Sequence, residues 1–418
     1  MKKELIFGTI IGKMPSINKS FSKFLYNLVF VILSARGRKN FTNMSRWSSY
    51  NELSFRRNYD KTFDWIGFNE KLISHYADEK EVFIACIDAS FIPKSGHHTA
   101  NLGNFWNGCQ QKSIKGLELS LLALISVTHQ TAYALDSKQT PSILPDGESR
   151  LDFYLKQVVA HKEFFAENSV KYLTCDGFYA KEKTSDVAKS AGLSVITKLR
   201  IDANLKWLYE GDQKSKGRPR KYGDKINWKS EDLLDKMELE HSYPTTEKEY
   251  SQLAGCKLYS KVVYSVKWKR NLKIVLVVKV ENGKQRIGIL ACADLTLSAQ
   301  NIAQYYCLRF QTVRRCDEFV FRDMNGATFR QHLGLTESQT RKEKRIDFHF
   351  NSVAMAYNLA KVENKLAGNR IFSLYDIKAD YINQNYLETI ITNLDLDANA
   401  IKMHPNYQKI LKLGKINI

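Results

Sequence analysis

The stretch "KYLTCDGFYAK", residues 171–181, holds a short apolar run that stops at an acid, Asp176, which is followed by Gly177. A carboxylate at the end of a buried strand loses its hydration, so it needs a hydrogen-bonding partner or a cation. An Asp-Gly pair after a strand is also common turn chemistry. The sequence around this stretch bears on the choice between a turn and a cation site.

The segments around residues 171–181 alternate between strand and helix patterns. Three strand patterns come first, then a helix, a strand, a short helix and a strand: "VFIACIDASFI" (82–92), "GLELSLLALISVT" (116–128), "TAYALDSKQT" (131–140), "ESRLDFYLKQVVAHKEFFAEN" (148–168), "VKYLTCD" (170–176), residues 181–191 and "LSVITKLR" (193–200). This order matches the ribonuclease H-like plan, in which the first and fourth strands are neighbours.

The first strand pattern also ends in an acid, Asp88 of "FIACIDASF". If the first and fourth strands are neighbours, the carboxylates of Asp88 and Asp176 meet at adjacent strand ends. Two like charges at that separation need a cation between them. Oxygen ligands next to a phosphate-containing substrate favour Mg²⁺. The sequence therefore predicts a divalent-metal site at this edge of the sheet.

The composition indicates a polyanionic partner. The 418 residues include 63 Lys and Arg against 44 Asp and Glu, a formal net charge of +19. Such a field attracts phosphate backbones at long range, so nucleic acid is the first expectation and an anionic membrane surface the second. The apolar run at 24–35 is shorter than a membrane helix, and the start "MKKELIFGTIIGK" predicts no signal peptide. The seven cysteines form no CxxC pair. A cytoplasmic protein, nucleoid-associated when bound to DNA, is expected.

Two further regions have basic patterns typical of DNA contact. Residues 1–80 read as helical and interleave basic with aromatic side chains, although a solvated helix face gives the same pattern. Residues 200–295 read as a β-rich insertion with the loop "KSKGRPRKYGDK" (214–225) and three strands joined at "RN" and "NGK". Within the loop, Arg218, Arg220 and Lys221 fit either a minor-groove hook or a solvated loop.

Several blocks in order, from about residue 35 to 365, give the chain a family resemblance. The blocks are "DASFIPKSGHHTANLGNFWNG" (88–108), "KGLELSLLAL" (115–124), "CDGFYAK" (175–181), "GRPRKYGDKI" (217–226), "YCLRF" (306–310), "EFVFRD" (318–323) and "FHFNSVAMAYNLAK" (348–361). Together they resemble a DDE transposase of the bacterial insertion-sequence IS-four type.

The resemblance implies an α/β fold: a ribonuclease H-like mixed sheet flanked by helices, with a β-rich insertion domain and a helical N-terminal DNA-binding region. It implies Asp88, Asp176 and Glu318 as catalytic acids that hold Mg²⁺, with Mn²⁺ as a substitute and two ions in the site. Asp317 competes with Glu318 for the third position. Contacts to DNA are expected from residues around the third acid: Tyr306, Arg309, Arg314, Arg322 and Arg330.

The family's signature has a tyrosine, two residues, an arginine, three residues, the glutamate, six residues and a lysine. Tyr306 and Arg309 keep the first spacing, but eight residues separate Arg309 from Glu318. Arg314, four residues before Glu318, lies on the same helix face and is an alternative phosphate clamp. Arg330 is an alternative to Asn325 at the position of the family's lysine.

The implied boundaries are a helical DNA-binding region at 1–80, a first part of the catalytic core at 81–200 and the β-rich insertion at 201–295. A second part with the Glu-bearing helix follows at 296–368, then a C-terminal region at 369–418. The implied activity is an endonuclease and strand-transfer reaction on double-stranded DNA, at transposon-end inverted repeats and at target DNA. A homodimer is expected in the DNA complex, because cutting two ends together implies at least a dimer. The alternatives are a catalytically impaired or domesticated DNA-binding protein of this descent and a structure-specific nuclease.

Overall fold

A computed structural model of the chain describes residues 2–15, 17–108, 110–281, 283–309, 332–369 and 372–416. The helices of the described residues are α1 Lys2–Ile11, α2 Lys19–Ser34, α3 Phe41–Arg46, α4 Glu52–Asn58, α5 Trp65–Tyr76, α6 Arg150–Ala160, α7 Lys162–Glu167, α8 Glu182–Ser190, α9 Ala299–Leu308, α10 Glu343–Leu366, α11 Leu374–Asn393, α12 Ala398–Met403 and α13 Tyr407–Leu411. None of these helices is both long and apolar enough to cross a membrane.

The strands of the described residues are β1 Phe83–Pro93, β2 Gly103–Asn107, β3 Lys112–Ser126, β4 Thr131–Gln139, β5 Tyr172–Cys175, β6 Ser194–Leu199, β7 Leu205–Leu208, β8 Tyr222–Lys225, β9 Glu238–Ser242, β10 Cys256–Ser265, β11 Arg270–Glu281 and β12 Lys284–Cys292. They form a single mixed sheet flanked by helices. The order is β2-β3-β1-β5-β6-β12-β11-β10-β7-β8, with β4 beside β3 and β9 beside β10.

The first half of the sheet contains the strands predicted from the sequence. β1 pairs antiparallel with β3, and β3 with β4, whereas β1 pairs in parallel with β5, and β5 with β6. β2, from "GNFWN", is an additional short strand that the sequence did not predict. The predicted helix at 148–168 is two helices, because the chain ends α6 and begins α7 at His161.

The β-rich segment continues the same sheet, because β12 pairs antiparallel with β6. The strands predicted in 256–292 are β10, β11 and β12. The predicted "RN" turn is wrong, because Arg270 and Asn271 already belong to β11. The observed turn lies just before them, where the side chain of Trp268 is 1% exposed and the backbone N–H of Trp268 donates to Ser265 Oγ at 3.2 Å. Because this indole is buried, the turn lies before the polar "RN" pair in the chain, not at that pair.

Helix α10 is buried along most of its length and covers the outer edge of β4. Asn358 accepts a hydrogen bond from Ala134 N at 2.9 Å and donates to Ala134 O at 2.7 Å. Asn351 donates to Ser137 O at 3.1 Å. An edge strand with free backbone groups would otherwise be open to pairing with another chain. The side chains of these two asparagines, two helical turns apart on α10, form hydrogen bonds with the backbone of β4 as a neighbouring strand would.

His349 of α10 predicts a pH dependence of stability. Its Nε2 donates to Gly334 O at 2.9 Å, and burial lowers the pKa of the imidazole from 6.5 to about 4. Between these pH values the unfolded chain binds a proton that the folded chain does not, so stability falls as the pH falls. From pH 8 to pH 5 the loss due to this group is about 2 kcal/mol.

The measurement is urea unfolding of wild type and His349→Gln across this pH range. The difference between their unfolding free energies isolates His349 from the other titrating groups. We expect wild type to lose stability relative to the variant below pH 6.5; a constant difference from pH 8 to pH 5 would contradict a neutral buried imidazole.

Candidate active site

Asp88 and Asp176 lie at the same level on two neighbouring parallel strands. β1 and β5 pair at Ala85 with Leu173 and at Cys86 with Thr174. The same register, continued by two residues, places Asp88 opposite Asp176. The predicted strand end at Asp88 is wrong, because β1 continues to Pro93 and Asp88 lies in its middle, opposite Leu121 of β3. Asp176 directly follows β5, as predicted. The residues before both acids are buried.

Asp176 combines turn chemistry with an available oxygen. Its Oδ1 accepts the N–H of Phe178 at 2.9 Å and begins a short 3₁₀ turn. Its backbone carbonyl accepts the hydroxyl of Thr197 on β6 at 2.8 Å. Among the described residues, Oδ2 has no hydrogen-bond partner. The turn and the cation interpretations are therefore compatible, because each uses a different oxygen.

The surroundings of Asp88 hold its carboxylate by a hydrogen bond and change its pKa. Its Oδ1 accepts the N–H of Ala89 at 2.9 Å. Burial raises the pKa of Asp88 to about 6, and the charge of Asp176 adds to the increase. Arg309 acts in the opposite direction, because it favours the ionised form. Loss of hydration is therefore the main cause of the raised pKa, and the like charge of Asp176 is a smaller one.

Arg309 supplies the positive charge next to this pair. It directly follows α9, is buried, and donates from Nη2 to Asp88 Oδ2 at 2.9 Å. Burial, the largest single effect, lowers the pKa of the guanidinium, but Asp88 and several smaller contributions, including that of Asp176, together raise it. Tyr306, one turn earlier, is also buried. In this arrangement Arg309 contacts an acid of the candidate site, and DNA contacts by Arg309 and Tyr306 stay predictions.

The remaining residues expected near the third acid lie outside the described residues, in 310–331. They are Arg314, Asp317, Glu318, Arg322 and Arg330. The prediction that Glu318 joins Asp88 and Asp176 is therefore untested.

The basic loop at 214–221 joins β7 to β8 and is exposed throughout. Arg220 folds back onto its own loop: its Nε donates to Tyr222 O at 3.0 Å, and its guanidinium lies 4.7 Å from the ring centre of Tyr209. Arg218 and Lys221 have no carboxylate partner within the described ranges. These two side chains, more than Arg220, are available for an anionic ligand.

Tyr179 lies close to the acid pair and was missed in the sequence. It is 1% exposed, and burial together with the charge of Asp88 raises its pKa. Its ring centre is 6.0 Å from that of Tyr154, whose hydroxyl donates to the buried carboxylate of Glu118. The aromatic pair in "DGFYAK" was the available signal. Tyr179 is held next to the acid pair by its own backbone, because its N–H donates to the carbonyl of Asp176 at 3.1 Å.

A second group of potential metal ligands lies at the opposite end of β1. Asp78, Glu81 and His129 have ligand atoms within 4.8 Å of one another. Lys365 of α10 already compensates part of their charge: its Nζ is 2.7 Å from Glu81 Oε2 and 3.2 Å from Asp78 Oδ1. The ammonium of Lys365 supplies positive charge at the place where a metal ion would otherwise bind. We interpret this group as an ion-pair network that joins α10 to the start of β1.

Comparisons with known proteins give no family assignment. A scan against protein-family models finds no match, and no curated protein matches the sequence. Among solved structures, the NurA nuclease from Sulfolobus solfataricus is similar over 59% of this chain and 77% of its own, at 10% identity and a TM-score of 0.24. A likeness this distant supports no conclusion about function.

Proposed function

We propose that the chain is a divalent-metal-dependent enzyme that cuts and joins phosphodiester bonds of double-stranded DNA, a ribonuclease H-like transposase of the IS-four type. The observation that supports this most directly is the parallel register that brings Asp88 level with Asp176. The strand order β4-β3-β1-β5-β6, antiparallel and then parallel, is the order that this proposal requires. The net charge of +19 fits a DNA partner.

The donor chemistry of the pair fits Mg²⁺ or Mn²⁺, which prefer carboxylate oxygens. Backbone N–H groups of Ala89 and Phe178 each hold one oxygen of Asp88 and Asp176, which fixes the orientation of both carboxylates. Under the proposal these two aspartates and Glu318 hold the ions. Divalent ions at such a site activate the attacking hydroxyl and stabilise the leaving oxygen. The chain's own part is to present the carboxylates on rigid strands.

A second candidate function is a DNA-binding protein that no longer cuts. The ion pair between Arg309 and Asp88 favours it, because a buried guanidinium already compensates the charge of Asp88. Under this alternative, Asp88 is a structural partner of Arg309, and the basic surfaces alone are functional.

A cleavage assay separates the two functions. Labelled duplexes from the DNA that flanks the coding sequence, and a random-sequence duplex, are incubated with the protein and Mg²⁺, Mn²⁺, Ca²⁺ or EDTA. The enzyme is expected to cut with Mg²⁺ or Mn²⁺, to leave 3′-hydroxyl ends, and to form a dimer on the cut ends. Tight binding without cleavage under any ion supports the DNA-binding alternative, and no binding at all contradicts both.

A further inference from the structure

A polar groove lies next to the carboxyl end of β1, outside the acid pair. One part is a cavity of about 640 Å³ between the chain after α2, the chain after β1 and the segment before α10. A second part, of about 340 Å³, shares Ser338, Gln339 and Arg341 with the first and extends over α3. We call the two parts together the basic groove; its basic residues are Arg38, Lys39, Arg56, Lys94, Arg341, Lys342 and Arg345.

Most of these charges are already paired or turned inward. Lys39 is buried, and its Nζ donates to Ala35 O at 2.7 Å. Arg56 pairs with Glu52 at the groove's outer end, and Arg345 Nε donates to Asp60 Oδ1 at 2.7 Å. These residues build the walls of the groove and have little charge left for a ligand.

Arg38, Arg341 and Lys342 differ from the others, and of these three Lys342 lines only the smaller part of the groove. Arg38 and Arg341 are the two that face the larger cavity. Both are exposed, both line the larger cavity, and neither has a carboxylate partner in the part of the chain that the structure describes. The carboxylate that lines this cavity, Glu337, is engaged: its Oε2 accepts the N–H of Lys39 at 2.7 Å. The groove therefore presents two guanidinium groups without an ion-pair partner among the described residues, and such groups suit the paired oxygens of a phosphate.

Hydrogen bonds join the walls of the basic groove to one another, so the groove has its shape before a ligand binds. Lys94 donates from Nζ to Ser338 O across the cavity. Behind it, Ala100 N donates to Arg341 O at 2.9 Å, and Asn101 donates to Glu343 Oε1 at 2.9 Å. A preformed cationic groove costs little ordering entropy when an extended anion binds.

The position of the groove relates it to the acid pair. β1 runs directly from Asp88 to Pro93, so Lys94 lies about 20 Å along the strand from Asp88, at about 3.3 Å per residue. At a rise of 3.4 Å per base pair this distance corresponds to about six base pairs. A duplex whose backbone passes Asp88 and Asp176 can therefore reach Arg38 and Arg341 within one helical turn.

We propose that the basic groove binds the sugar-phosphate backbone of duplex DNA about half a helical turn from the bond that is cut, with Arg38 and Arg341 as its phosphate ligands. The proposal rests on the function proposed above for the acid pair. It is nevertheless testable without catalysis, because binding needs neither metal nor cleavage.

The test measures duplex affinity in EDTA by fluorescence anisotropy, from 50 to 300 mM salt, for wild type, Arg38→Ala/Arg341→Ala and a control. The control, Lys80→Ala/Lys171→Ala, removes two exposed charges at the other end of β1 and β5. Loss of two phosphate contacts is expected to flatten the slope of log affinity against log salt by about 1.8 and to weaken binding at least about tenfold. The control is expected to keep the wild-type slope, and Arg38→Lys/Arg341→Lys to retain most of it.

An unchanged slope in the Arg38→Ala/Arg341→Ala variant, an equal change in the control, or no duplex binding by wild type would overturn the proposal. Binding of inorganic phosphate but not duplex would also overturn it, since the groove would then serve a small anion. Absence of cleavage with the slope difference intact would contradict only the catalytic function. Thermal unfolding by circular dichroism confirms that the exposed substitutions leave the fold intact.

Discussion

Asp88→Asn and Asp176→Asn are each expected to lower the rate of Mg²⁺-dependent DNA cleavage by about a thousandfold. Each change keeps the size of the side chain but removes one negative ligand oxygen from the pair. Loss of metal-derived charge stabilisation amounts to several kcal/mol, and about 4 kcal/mol corresponds to this factor. Duplex affinity in EDTA should be nearly unchanged, because the basic surfaces are intact.

Asp78→Asn is the matched control for both aspartate variants. Asp78 belongs to the ion-pair network at the other end of β1, where Lys365 compensates it, so its loss should leave the cleavage rate within about twofold of wild type. Cleavage by Asp88→Asn or Asp176→Asn at a tenth of the wild-type rate or more would remove these residues from the metal site.

Asn358→Leu is expected to lower the free energy of unfolding by about 4 kcal/mol. Leucine has a similar size but leaves the N–H and the carbonyl of Ala134 without their partner. It also removes the bond from Asn358 to Asn69 Oδ1, which is 3.0 Å long and fully buried. Each buried polar group left without a partner costs about 1–3 kcal/mol.

Urea unfolding measures this effect, and Asn364→Leu provides the comparison on the same helix. Asn364 bonds at the surface to Asn369, so its replacement should change stability by no more than about 0.5 kcal/mol. If Asn358→Leu costs less than about 1 kcal/mol, the asparagines of α10 do not protect the edge of β4 in the way described.

The strands of the first half of the sheet are predictable because their residues carry a local signal. β1, β3 and β4 are apolar, β-branched or aromatic runs bounded by turn residues. The position of Asp176 directly after β5 follows from the same runs. The strand end predicted at Asp88 does not, because pairing with β3 carries β1 on to Pro93. β2 is different: "GNFWN" is short, contains little apolar alternation, and is held by pairing with residues 112–116 of β3. Pairing of that kind is not visible in a local pattern.

Contacts between residues that are far apart in the chain could not be predicted from the sequence. The contact from Arg309 to Asp88 was not predicted, because it depends on how α9 packs against strands such as β5 and β6; its contact with DNA stays a prediction. The basic groove likewise combines Arg38, Lys94 and Arg341, which are far apart in the chain. Only the tertiary structure shows which basic side chains are compensated and which are available.

Mn²⁺ binding, measured by electron paramagnetic resonance of the free ion, tests the proposed metal site most directly. Wild type and Asp78→Asn are expected to bind Mn²⁺ equally well. Asp88→Asn and Asp176→Asn are each expected to bind it at least about 100-fold more weakly, since even outer partners of metal ligands contribute up to this factor. A metal site between β1 and β5 is contradicted if Asp88→Asn and Asp176→Asn bind Mn²⁺ with wild-type affinity while Asp78→Asn loses binding. The metal site would then lie at the opposite end of β1.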